Sequence, residues 1–194
     1  MKKTIELSDI LHPESYKKVR KEKKKLISVI KKNRRISVGP HATFFFENYE
    51  TIWHQIHEMM YIEKGGYEQA VDEITAYKTL VPSGSNLIAT LMFEIDNRTI
   101  REEFLKEVSG IENCIEINID GSLVLGVPEQ ETERTRNDGK TSAVHFMHFS
   151  FTKDDIKLFK DIDRKTVLSF THENYSFTEE IGIEMKKSLI NDFG

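Results

Sequence analysis

Hydrophobic and polar positions follow two rhythms along this chain, and each change of rhythm marks a predicted element. His12-Pro13 sets a boundary, because the residue before a proline is pushed out of the α region. Tyr16, Val19, Lys23, Leu26 and Ile30 then recur at three- and four-residue steps, which predicts an amphipathic helix with lysine stems covering the edges of the stripe. Asn33-Arg34-Arg35 ends it and Gly39-Pro40 marks the next turn. Ile36–Val38 and Ala42–Phe46 read as strands. Helical spacing returns over Tyr49–Lys64, with Trp53, Ile56 and Met60 on one stripe and Gly65-Gly66 as the stop, and again over about Tyr67–Leu80.

Asn86–Ile95 alternates as a strand, with Leu87, Ala89, Leu91, Phe93 and Ile95 on one face and Ile88, Thr90, Met92 and Glu94 on the other. A helix over Arg98–Val108 precedes a strand carrying Ile115, Ile117 and Ile119. Asp120-Gly121 is a two-residue hairpin signal leading into Leu123–Val127. Glu129–Lys140 is polar throughout and reads as the most mobile loop. Ala143–Phe151 is a predicted strand, Thr152 with Asp155 caps a helix over Lys153–Lys160, and Thr166–Phe170 gives a last strand. Ser176-x-x-Glu179 reads as a capping box before a terminal helix. Strands and helices mixed in this way predict an α+β fold, a mostly antiparallel sheet with flanking helices behind an N-terminal basic helix.

Charge sharpens that division. Residues 1–40 hold 13 Lys+Arg against 4 Asp+Glu, while the rest of the chain holds 15 against 28. We therefore expect a basic helical arm, residues 1–40, on an acidic α+β domain, residues 41–194. Such an arm faces nucleic acid, a membrane, an acidic partner or its own body. Docking on the body or on an acidic partner is favoured over nucleic acid, because no aromatic-interleaved platform accompanies the lysines and the overall pI is near 6.0. No run approaches the length of a membrane span, Lys2-Lys3 is not followed by an apolar core, and Cys114 is the sole cysteine. These features predict a cytoplasmic protein without a disulfide framework.

Four separated blocks carry a family resemblance: Gln55–Glu63, Leu80–Glu94, Lys140–Phe146 and His172-Glu173-Asn174-Tyr175. Together with the Tyr16 helix and the Arg34-Arg35 turn, they resemble a bacterial family named only as domain of unknown function 3501. The resemblance implies no activity. Genes of that family often stand beside those for rubrerythrin-like and iron–sulfur proteins, which implies redox or peroxide-response partners. Glu173 stands where relatives often have proline, and His57 where many have another polar residue.

Candidate chemistry is dispersed. Glu50, His54 and Glu58 share a helix face and Glu63 follows, a spacing that suits metal ligands but also a solvated charged face. No His-Glu-x-x-His sequence is present. Glu94, His145 and His172, with Tyr175 nearby, offer a carboxylate, two imidazoles and a phenol, a set suited to a divalent transition metal or to acid–base chemistry. Against this stands His145 as a core histidine beside Met147 and Phe149. Pro82-Ser83-Gly84-Ser85-Asn86 offers small polar residues with backbone N–H groups suited to an anion, although an ordinary turn explains it, and Thr90 on the strand that follows is a further pocket candidate; Lys140-Thr141-Ser142 suits a phosphate or carboxylate, or simply closes the polar loop. Cys114 reads as a small buried residue. The leading expectation is an accessory binding or partner module of a bacterial redox system with a pocket at Glu94, His145 and His172. The alternatives are a metal-dependent enzyme using those residues with Glu58 or Glu63, and a nucleic-acid contact through the basic helix.

Overall fold

The computed structural model describes residues 2–129 and 139–194; residues 130–138 of the polar loop expected at Glu129–Lys140 lie outside them. Six helices and eight strands follow in the order α1 (Pro13–Lys32), β1 (Arg35–Val38), β2 (Ala42–Phe46), α2 (Tyr49–Glu63), α3 (Ala70–Tyr77), β3 (Asn86–Phe93), α4 (Arg98–Glu107), β4 (Ile115–Ile119), β5 (Ser122–Pro128), β6 (Val144–Ser150), α5 (Lys153–Lys160), β7 (Thr166–His172), β8 (Tyr175–Glu180) and α6 (Ile183–Ile190). The strands form one antiparallel sheet, ordered β1-β2-β3-β6-β5-β4-β7-β8 and curled nearly into a barrel. This is the expected α+β architecture.

Alternation along the strands separates two cores. Phe44, Phe46, Leu87, Leu91, Ile117, Met147, Phe149, Leu168 and Phe170 belong to the inner core, which Leu105 and Val108 at α4, Phe159 of α5, and Leu189 and Phe193 at the C-terminal end complete. Ile88 on the opposite face of β3 joins Ile52, Ile56 and Met60 of α2 with Ala70 and Leu80 in a second core. That second core fixes α2 against the outside of the sheet. Strand β5 is shared between both halves: Ser122–Leu125 pair with β4, and Gly126–Pro128 pair with β6. Gly126 sits at the changeover, where a Cβ would meet Phe149 at 2.9 Å and the Ile115 carbonyl at 3.2 Å.

The two edges of the sheet meet at Tyr175. Its hydroxyl donates to the Val38 carbonyl at 2.8 Å and accepts from the His41 and Ala42 amides at 3.2 Å each, so β8 is latched to the β1–β2 turn. Arg34, 2 % exposed, ties α1 to both strands and helix: it donates to the Phe46 and Glu47 carbonyls, to Ser188, and to the Asp192 carboxylate.

Several boundaries differ from the sequence reading. Tyr175–Glu180 is a strand, so Ser176 and Glu179 lie in β8 rather than in a capping box; α6 begins at Ile183. The strand escaped notice because only Tyr175 in it is buried. On α1 the packed stripe runs through Tyr16 and Ile27, whereas Leu26 is 49 % exposed. Residues 35–38 pair with β2, which places a chain division at residue 40 inside a hairpin. α3 is shorter than expected and continues as a 3-10 turn, Lys78–Leu80. No helix among the described residues is long and apolar enough to cross a membrane.

Candidate functional site

The site is built where the outer face of β2, β3 and β6 meets α2. Strand β2 ends at Phe46, and Asn48 immediately caps α2: its side chain accepts from the Thr51 amide while the Thr51 hydroxyl accepts from the Asn48 amide, both at 2.9 Å. Glu47 stands between the strand and the cap. Glu47 is 9 % exposed, and its carboxylate accepts from the Thr51 hydroxyl at 2.6 Å and from the Thr90 hydroxyl at 2.7 Å. Antiparallel pairing sets the neighbours, since Thr90 lies opposite Phe45 on one side and Phe146 on the other.

A cleft of about 320 Å³ opens over this floor. Its walls are apolar or aromatic, including Phe45, Ile52, Tyr77, Leu80, Met92 and Phe146, while Gln55 of α2 and Lys31 of α1 add polar groups. Small-molecule sites share this make-up, an apolar cavity with a few placed polar groups. A carboxylate has room for about four hydrogen bonds, and Glu47 has spent two of them on threonines. A ligand donor reaching the floor would therefore meet a fixed acceptor.

The residues singled out from sequence divide sharply. Thr90 lies in the cleft. Glu94 is exposed beyond the end of β3, and its amide donates to the His41 carbonyl. His145 is 1 % exposed and faces the inner core, with its Nε2 2.8 Å from the Ser142 carbonyl and 3.3 Å from the Thr141 hydroxyl. His172 turns the β7–β8 hairpin, with Nε2 3.2 Å from the Ser109 carbonyl and Nδ1 accepting from the Asn174 amide. Tyr175 is the sheet latch. Glu94, His145 and His172 thus sit in three settings, and among the described residues no group of three or more His, Cys, Asp or Glu side chains is placed to hold a metal ion. The expected metal centre is not formed by them, because alternation turns His145 inward while Glu94 lies past the strand end. Asn86 accepts from the Ser83 amide and hydroxyl, closing its own turn. Lys140 is half-buried beside the segment outside the described residues. Cys114 is half-buried, and burial pushes its thiol pKa up.

Glu58 and Glu63 are also accounted for elsewhere. Glu63 accepts from Gln69 at 2.5 Å on the surface. Glu58 anchors α1 to α2: Arg20 donates to both of its oxygens at 2.8 Å, and Tyr16 donates at 2.7 Å. Burial alone would raise the Glu58 pKa, but the Arg20 and Tyr16 hydrogen bonds hold it at about 2. Burial pushes the Tyr16 phenol upward, as does Glu58. Burial lowers His54, with Lys31, Lys24 and Arg20 acting in the same direction against Glu58. The basic arm therefore docks on its own body through this cluster.

Sequence reasoning missed Glu47, Thr51, Gln55 and Lys31. One signal was available for Glu47, a carboxylate wedged between Phe44-Phe45-Phe46 and the helix cap Asn48. No local pattern marks the others.

These features define an α+β protein with a nearly closed antiparallel sheet and a helix-walled cleft on its outer face. The chain belongs to a family of proteins of unknown function, DUF3501, whose model matches residues 4–193. It is similar to a crystal structure described as a novel protein of unknown function from Burkholderia pseudomallei K96243, with 34 % identity and a TM-score of 0.90 over 98 % of this chain and 100 % of that one. Comparison with curated proteins finds no match.

Proposed function

We propose that this protein is a binding module for a small organic molecule, which it holds in the cleft between α2 and the outer face of β2, β3 and β6. The supporting observation is Glu47, nearly buried, with its carboxylate held by Thr51 and Thr90 at the floor of a largely apolar cavity. Burying a carboxylate without a cationic partner is costly, and apolar packing alone would not retain one there. The service of such a module to a redox or peroxide-response system is supported by the family's gene neighbourhoods. The test is fluorescence titration with N-phenyl-1-naphthylamine, a neutral probe that brightens in apolar sites. Saturable binding at one probe per chain is expected, and Gln55→Trp with Val144→Trp, which fill the cleft from its rim, should abolish it while the melting temperature stays within a few degrees. Equal binding by the filled variant would overturn the assignment.

A further inference from the structure

We infer that the molecule held in the cleft is an amphipathic anion: an apolar chain or ring with a carboxylate or phosphate at one end and a hydrogen-bond donor at the other. This inference rests on the binding role proposed above and specifies the ligand. A second groove, of about 520 Å³, adjoins the cleft and shares Lys31 and Phe45 with it. Lys24, Lys32, Arg35 and His54 also line it, together with Ile27 and Ser28. Among the described residues, Lys31, Lys32 and Arg35 form no ion pair, and Lys24 reaches only Glu58, at 4.0 Å, a carboxylate already engaged by both ends of Arg20. Unneutralised cations therefore border one end of an apolar cavity whose floor presents an acceptor.

That polarity selects the ligand. An acid group in the groove gains charge-assisted hydrogen bonds from Lys31 and Arg35. The apolar body then lies past Phe45 into the cleft, and a hydroxyl or amine at its far end donates to Glu47. A ligand with an acid at both ends would meet the Glu47 carboxylate and be rejected. Nucleic acid fits less well, because the cations here border a largely apolar cleft rather than a row of exposed aromatic faces.

The experiment uses two probes of equal length, 8-hydroxyoctanoate and 1,8-octanediol, competing against N-phenyl-1-naphthylamine on the full chain. The acid should displace the dye at about tenfold lower concentration than the diol. In Lys31→Gln with Arg35→Gln the ratio of diol to acid displacing concentrations should fall from about ten to about one. Lys17→Gln with Lys21→Gln removes the same charge from exposed sites on the same helix and should leave the advantage intact. If the dye binds but the acid gains nothing over the diol, the anion inference is overturned and the cleft remains a binding site. If the dye itself does not bind, the binding role falls. Co-sedimentation with phosphatidylglycerol vesicles that depends on Lys31 and Arg35, without competition by the monomeric acid, would assign the groove to a lipid surface and also overturn the inference.

Discussion

His57 shows how one residue fixes the protonation chemistry of the α1–α2 region. Its Nε2 accepts from the Leu11 amide at 2.9 Å, and its Nδ1 lies 2.7 Å from the Trp53 carbonyl and donates to it. Both nitrogens are committed as a neutral ring, and burial lowers the pKa from 6.5 to about 4 despite the Trp53 carbonyl. Because the unfolded chain takes up this proton first, the His57 contribution is complete above pH 6.5 and is lost as pH falls through 4. That lowering corresponds to an upper bound of about 3 kcal/mol. Burial raises Asp192 to about 6 against the pull of Arg34, which acts with the opposite sign: the folded state holds that proton more tightly, so stability is gained on acidification through the same range. Denaturant melts between pH 4 and 7 should therefore show a smaller acid loss in His57→Gln and a steeper one in Asp192→Asn than in the wild type. An NMR titration should place the His57 midpoint well below 5. A midpoint near 6.5 would mean that the Leu11 bond does not hold the ring neutral.

At the scale of elements, legibility in the sequence tracks how much local chemistry each element carries. α5 was readable to the residue, because Thr152 and Asp155 form a reciprocal cap at its start. The β4–β5 turn was readable as well, since Asp120 and Gly121 both take positive φ, 51° and 98°. β8 was not, because five of its six residues are exposed and its pairing with β7 is non-local information. The cleft was legible only through Thr90, since its other walls come from α1, α2, α3 and the turn after it, and three strands that only the folded chain brings together. α1 lies between these cases. A lysine-rich helix has too few apolar residues to fix its own rotation, so Leu26 and Ile27 competed for the interface and tertiary packing chose Ile27. Ile27→Ala should cost roughly 2–4 kcal/mol in chemical denaturation, whereas Leu26→Ala should change stability by less than about 0.5 kcal/mol. The reverse ranking would mean that α1 packs on its other face.

For the whole molecule, the question is what keeps an eight-stranded sheet curled when its edge strands share no hydrogen-bonded ladder. Pairing runs from β1 to β8 without closing, so the seam depends on side chains. Tyr175 supplies three hydrogen bonds across it, and burial of its ring among Phe93, Phe104, Phe170 and Phe177 holds the phenol in place. Gly39 is the other half of the latch: its φ is +72°, and a Cβ there would stand 2.6 Å from the Tyr175 hydroxyl oxygen. Tyr175→Phe leaves the Val38 carbonyl and the Ala42 amide without this partner and should cost about 1–3 kcal/mol. Gly39→Ala forces a side chain into a left-handed conformation and should cost at least ~1 kcal/mol before any displacement of the tyrosine. If both act by opening one seam, the second substitution finds it already loosened. The double variant should then be more stable than the summed effects predict, with a coupling of about 0.5 kcal/mol or more. Amide exchange should quicken first in β1 and β8, while the β3 and β6 amides at the centre keep their protection. Strict additivity, with exchange rising evenly over the sheet, would show that the inner core alone sets the curvature and that the tyrosine only decorates a closure made elsewhere.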